Sequence, residues 1–169
     1  MQKNIKLFSF VGIVLALVVV GLLFIPQFVR LGSANYNGYQ MIFAYVTGGF
    51  NTIRKQYTEA RASAALIIAL VLMLFSMVSL AFQQKSSLLS LFGGLFLGIA
   101  GILFLLTPVW MLIIYNAGRP LEVKWLPYVV GGVMLAYGAF LTYLAIMRLR
   151  EEKNALSAPK SHQYSYLKK

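Results

Sequence analysis

Apolar residues in this chain come in long uncharged runs. They follow neither the alternation of a half-buried strand nor the one-sided stripe of a soluble surface helix. The runs cover residues 7–25, 62–82, 88–115 and 125–147, and none contains Asp, Glu, Lys, Arg or His. A helix of about 20 apolar residues crosses a hydrocarbon core roughly 30 Å thick. The pattern therefore predicts an all-α integral membrane protein, a four-transmembrane-helix bundle with both termini on the cytoplasmic side (N-in/C-in).

The polar interruptions set the boundaries. Lys3 and Lys6 precede the first run, which is longer than the apolar stretch of about 7–15 residues in a cleaved signal peptide. It reads as a retained helix, with Pro26 marking its outer end. Residues 26–61 form a long first extracytoplasmic loop, with turn formers at Gly32, Ser33, Asn35, Asn37 and Gly38. Within it, residues 39–46 suit a short strand or an interfacial segment, with Tyr36, Tyr39, Phe43 and Tyr45 at headgroup depth. The interfacial or capping reading is the better fit. A helical lead-in then places Arg54, Thr58 and Arg61 on one face. The second and third runs are joined by five polar residues, 83–87, so they form an antiparallel hairpin with Ser86 or Ser87 as N-cap.

Pro108 lies inside the third run and should kink or end its helix. As one helix, residues 88–115 would be about 42 Å long, more than the core needs. The span is thus expected over 88–107; residues up to 115 either extend it as a tilted, protruding helix or form a separate interfacial piece over 109–115, with Trp110 and Tyr115 at the interface in both cases. Residues 116–120 read as a turn, and Pro127 fits the first turn of the fourth span. One transmembrane domain, 1–156, is followed by a mobile, basic cytoplasmic tail, 157–169.

Composition agrees with the pattern. Of 169 residues, 60% are hydrophobic and 11% charged, well below the roughly 25% charged of a soluble domain. The net charge of +11 sits beside apolar runs, where it meets anionic lipid headgroups. Arg54, Lys55, Arg61, Arg148, Arg150, Lys168 and Lys169 are the expected headgroup contacts. No nucleic-acid-binding motif accompanies the charge, so no nucleic acid is expected as a partner. With four spans, one side carries Lys3, Lys6, Lys85, Arg148, Arg150, Lys153, Lys160, Lys168 and Lys169, nine in all. The other carries Arg30, Arg54, Lys55, Arg61, Arg119 and Lys124, six in all. The richer side should be cytoplasmic. A fifth crossing through 39–50 would erase that bias. Cysteine is absent, which excludes disulfides and thiolate chemistry. The sequence has no Asn-x-Ser/Thr acceptor, which fits a multi-pass protein of a bacterial plasma membrane.

Candidate chemistry is sparse. The four acids are Glu59, Glu122, Glu151 and Glu152, and the last two point about 100° apart on a helix, a poor acid/base pair. His162 is the sole histidine and has no companion ligands. No serine sits in a nucleophile elbow. Catalytic residues, metal ligands and cofactors are accordingly not expected. The spans also lack the buried charges of ion-coupled transporters.

The glycines carry more information. Gly94, Gly98 and Gly101 share one face of the third span; Gly131, Leu135, Gly138 and Thr142 share one face of the fourth; Gly12 and Ala16 are spaced alike on the first. Small faces allow close helix contact in lipid, either within one bundle or against a partner. Packing within the bundle is the simpler reading.

The order of a long first external loop, a short internal turn, a shorter second external loop and cytoplasmic termini resembles the claudin layout. The likeness is architectural. Residues 26–61 contain neither tryptophan nor cysteine, both present in the claudin first loop, so no site and no adhesion role carries over. The general pattern is nearer to small four-span membrane proteins of Gram-positive bacteria. The expected function is that of a non-enzymatic accessory or scaffold subunit of a membrane assembly, meeting a protein partner or a second copy in the membrane. The alternative is a binder or carrier of lipid or hydrophobic solutes, using a groove beneath the external loop.

Overall fold

The computed structural model describes residues 2–31, 34–42, 63–83, 86–114 and 121–157. The chain is mostly helical. Helix α1 spans Gln2–Leu22, β1 Val29–Leu31, β2 Ala34–Tyr36 and α2 Gly38–Ile42. Then come α3 Ala64–Ala81, α4 Ser87–Leu105, α5 Thr107–Ile114, β3 Leu121–Val123 and α6 Leu126–Ser157. Three helices, α3, α4 and α6 as far as Asn154, are long and apolar enough to cross a membrane, as in an all-α membrane protein. The apolar part of α1, Lys6–Leu22, is shorter.

Local chemistry explains the helix ends. Ser63 caps α3, its side chain accepting from Leu66 N at 3.5 Å. Ser86 caps α4, accepting from Leu88 N at 3.2 Å. That leaves Ser87 free for another partner. The third apolar run breaks at Leu106. Pro108 has no N–H for the Phe104 carbonyl, and the Thr107 hydroxyl donates to it instead, at 2.5 Å. The Trp110 indole N–H donates to the Leu103 carbonyl at 3.2 Å. Two carbonyls near the break therefore keep partners, as an apolar environment demands.

Helices α1, α3, α4 and α6 run alternately up and down. Ser9 of α1 bonds Gln83 at the end of α3, and Ser87 of α4 bonds Glu152 of α6. These contacts gather the start of α1, the α3–α4 turn and the far part of α6 at one end. At the opposite end a small antiparallel sheet, ordered β2-β1-β3, joins the first long connection to the last. Val29 pairs with Tyr36 and Val123; Arg30 pairs with Asn35 and Glu122. Alternation turns Val29, fully buried, inward, while Arg30, Asn35 and Glu122 are exposed.

The strands lie earlier in the first loop than residues 39–46, for which a short strand is the alternative to the favoured interfacial or capping segment; residues 43–46 lie outside the described residues. Residues 38–42 are instead the short helix α2. Asn37 and Gln40 bond each other's backbone N–H reciprocally at its start, at 2.8 and 3.0 Å. Gly38 N, at 2.8 Å, and Tyr39 N, at 3.3 Å, donate to the Leu23 carbonyl, so α2 closes the end of α1. A Cβ at Gly38 would meet Leu23 Cδ2 at 2.6 Å, which is why glycine stands there. The core continues from the bundle axis to the underside of this cap. Leu23, Phe28, Met41, Leu66, Phe104, Met111 and Leu126 are all fully buried there, and Phe28 meets Phe104 edge-on at 6.1 Å.

Candidate functional site

The five glycines singled out in the third and fourth runs meet along the seam between α4 and α6. A Cβ on Gly94 would lie 2.7 Å from both Thr142 N and Oγ1, and one on Gly101 2.6 Å from Leu135 N and 2.7 Å from Gly131 O. From the α6 side, a Cβ on Gly131 would meet Gly101 O at 2.7 Å and Leu105 N at 2.8 Å. A Cβ on Gly138 would overlap Gly98 N, with Gly98 Cα 2.7 Å away. These neighbours are almost all backbone atoms, so the two helices touch main chain to main chain. Gly98 differs: the nearest atom to its Cβ would be Gly138 C, at 4.0 Å. The seam is thus asymmetric, and Gly138 rather than Gly98 is its tightest point.

Helix α3 joins this pair from the other side. Gly93 admits Leu80, whose side chain would lie 2.7 Å from a Cβ there. Ser76, fully buried, donates to the Gly93 carbonyl at 2.7 Å. Neither contact follows from the GxxxG spacing. The signals for them are a serine within an apolar run and the glycine doublet Gly93-Gly94.

Among the described residues charge is confined to the two ends. At the capped end Glu122 lies 2.9 Å from Lys124 and 3.8 Å from Arg30. The hydrogen bond from Lys124, assisted by the charges of Lys124 and Arg30, holds the Glu122 carboxyl below its ordinary pKa of 4.5. At the other end Arg148 pairs with Glu152 at 3.0 Å, one helical turn apart. Glu152 also accepts from Ser87, which is 5% exposed. Position in a solvated helix end explains the Arg148 pair; the Ser87 bond needs the fold.

Of the expected headgroup contacts, Arg148 is engaged with Glu152 and its side chain is 18% exposed, whereas Arg150 is exposed. Arg54, Lys55, Arg61, Lys168 and Lys169 lie outside the described residues, as do Glu59, His162 and the tail 158–169. Among the described residues no three His, Cys, Asp or Glu side chains gather as a metal site would require. Among the described residues the arrangement is a tightly packed helix seam with charged pairs at its two ends. Compared with known protein families and with curated proteins, the chain matches none.

Proposed function

We propose that this chain is a four-span, N-in/C-in protein of the plasma membrane, of bacterial type, serving without catalysis as an accessory or scaffold subunit of a membrane assembly. The observation that carries the reading is the α4–α6 seam, where a carbon added at Gly94, Gly101, Gly131 or Gly138 would strike the facing helix. A bundle joined this way keeps one shape and presents fixed outer faces, as a scaffold must. The space beneath the cap is filled by Phe28, Phe104, Met41 and Met111. That filling weighs against the carrier reading, which needs a groove there.

Helix α1 supplies the fourth span in this reading. Its apolar part, Lys6–Leu22, measures about 26 Å at 1.5 Å per residue, and Leu23–Ile25 continue the apolar run past the helix end toward the full depth of the hydrocarbon core. The nine-to-six basic bias supports the direction. Two experiments test the proposal. An impermeant thiol reagent applied to intact cells should label Ser33→Cys and spare Ser161→Cys; the reverse pattern overturns the topology. Purification of the full chain in mild detergent should bring down a protein in fixed stoichiometry or a homo-oligomer. Recovery of a lone monomer holding stoichiometric lipid would favour the carrier.

A further inference from the structure

Leu112 and Ile113 on α5 are 67% and 68% exposed, the barest large apolar side chains among the described residues. Their height follows from the glycine seam. Gly94 faces Gly138 and Thr142, Gly101 faces Gly131 and Leu135, and Gly131 faces Leu105. Each step outward on α4 therefore matches a step back along α6. Continued at the same pitch as far as the break at Leu106, the seam sets Thr107 about level with Tyr128, and Trp110 lies one turn further on in α5. Leu112 and Ile113 then reach the height of β3, against which α5 runs.

Trp110 and Trp125 are the only two tryptophans of the chain. Trp125 and Tyr128 are 53% and 44% exposed. Aromatic side chains at one level mark a membrane–water boundary. From Ser87, bonded to Glu152 at the opposite end, to Thr107 is about 20 residues, or roughly 30 Å of helix. That is the thickness of a hydrocarbon core. The core then ends near the aromatic level, and Leu112 and Ile113 lie just beyond it. Across the cap, Glu122 and Lys124 are charged at the same height.

We propose that the outer face of α5, formed by Val109, Leu112 and Ile113, is seated in the boundary between headgroups and acyl chains of the outer leaflet. Bilayer lipid is its occupant. The face continues the exposed strip of Ile99, Ile102 and Leu106 on α4, which needs the same solvent. An interfacial helix buries an apolar face at this depth while its polar surroundings stay wet. The inference rests on the membrane-spanning reading and adds the depth and role of α5.

The test uses the absence of native cysteine. Nitroxide labels are placed on the full chain, in phosphatidylcholine vesicles, at Leu112→Cys and Ile113→Cys. Ile99→Cys serves as the mid-membrane reference and Asn35→Cys as the aqueous one. Collision with dissolved oxygen and with a water-soluble nickel chelate reports depth. Labels at 112 and 113 should give oxygen-to-nickel ratios between the two references. Ratios equal to the Asn35 label would put α5 in water, and ratios equal to the Ile99 label would put it in the core; either overturns the proposal. Shielding from both reagents would show a protein covering the face and overturns it as well. If the Ile99 label itself meets nickel as freely as the Asn35 label, the membrane-spanning reading fails, not the placement of α5 alone.

Discussion

Helix α6 is held by α4 and by α1 in two different ways. Against α4, glycine on each side lets backbone touch backbone, and the atoms in the way of an added carbon are N, O and Cα. Against α1, the meeting is through side chains. A Cβ on Gly12 would find Leu80 Cδ1 at 3.1 Å, Leu141 Cδ1 at 3.2 Å and Tyr137 Cε1 at 3.3 Å, all ends of side chains that can turn aside. A hydrogen bond supplements that looser fit: Tyr137 donates to the Phe8 carbonyl at 2.7 Å. Phe8 and Phe140 add an edge-to-face ring contact at 5.2 Å. The two seams show two solutions to joining helices where lipid removes the usual hydrophobic drive. One relies on extreme proximity and tolerates no volume; the other relies on polar and aromatic contacts and tolerates some.

The largest expected effect comes from adding one carbon to the rigid seam. Gly138→Ala and Gly101→Ala should each destabilise the bundle by about 3 kcal/mol, the upper part of the overpacking range, because backbone must move. Gly12→Ala and Gly98→Ala should cost less than about 1 kcal/mol. Unfolding in mixed detergent micelles measures all four. Equal losses at Gly138 and Gly12 would erase the distinction between the seams. Next in size is Tyr137→Phe, which removes one hydrogen bond from the α1 seam while keeping the ring. A loss of about 0.5–1.5 kcal/mol is expected by the same measurement. No change would mean that the aromatic packing alone seats α1.

The smallest effect concerns the cap. The folded-state pKa of Glu122 lies below its ordinary value of 4.5, so its contribution is present above that pH and fades as pH falls through the folded value. The side chain is exposed, and the contribution is correspondingly small. Melting curves of the wild type and of Glu122→Gln should differ slightly at pH 7 and converge as pH falls through the folded-state value, below 4.5. A gap that persists at low pH would mean that Glu122 acts by its shape or packing and not by its charge.

Much of this was legible before any coordinates. The four apolar runs, the polar turn after α3, a serine cap at Ser86 or Ser87 and a kink or end at Pro108 all rest on residues within a few positions of one another, whose preferences act locally; that Ser86 is the cap came with the structure. The glycine faces were legible too, since spacing at i, i+4 and i+7 fixes a common side on any helix. Tertiary structure decided the rest. That β1 pairs with β3, setting Arg30 beside Glu122, depends on two loops meeting across the end of the bundle. The bond of Ser87 to Glu152 depends on α4 and α6 lying side by side. The contrast between Gly98 and Gly138 depends on the exact offset of two helices, because a shift of half a turn moves a Cβ from open space into a neighbour's backbone. Sequence fixes which side of a helix is small; only the assembled bundle fixes which atom that side meets.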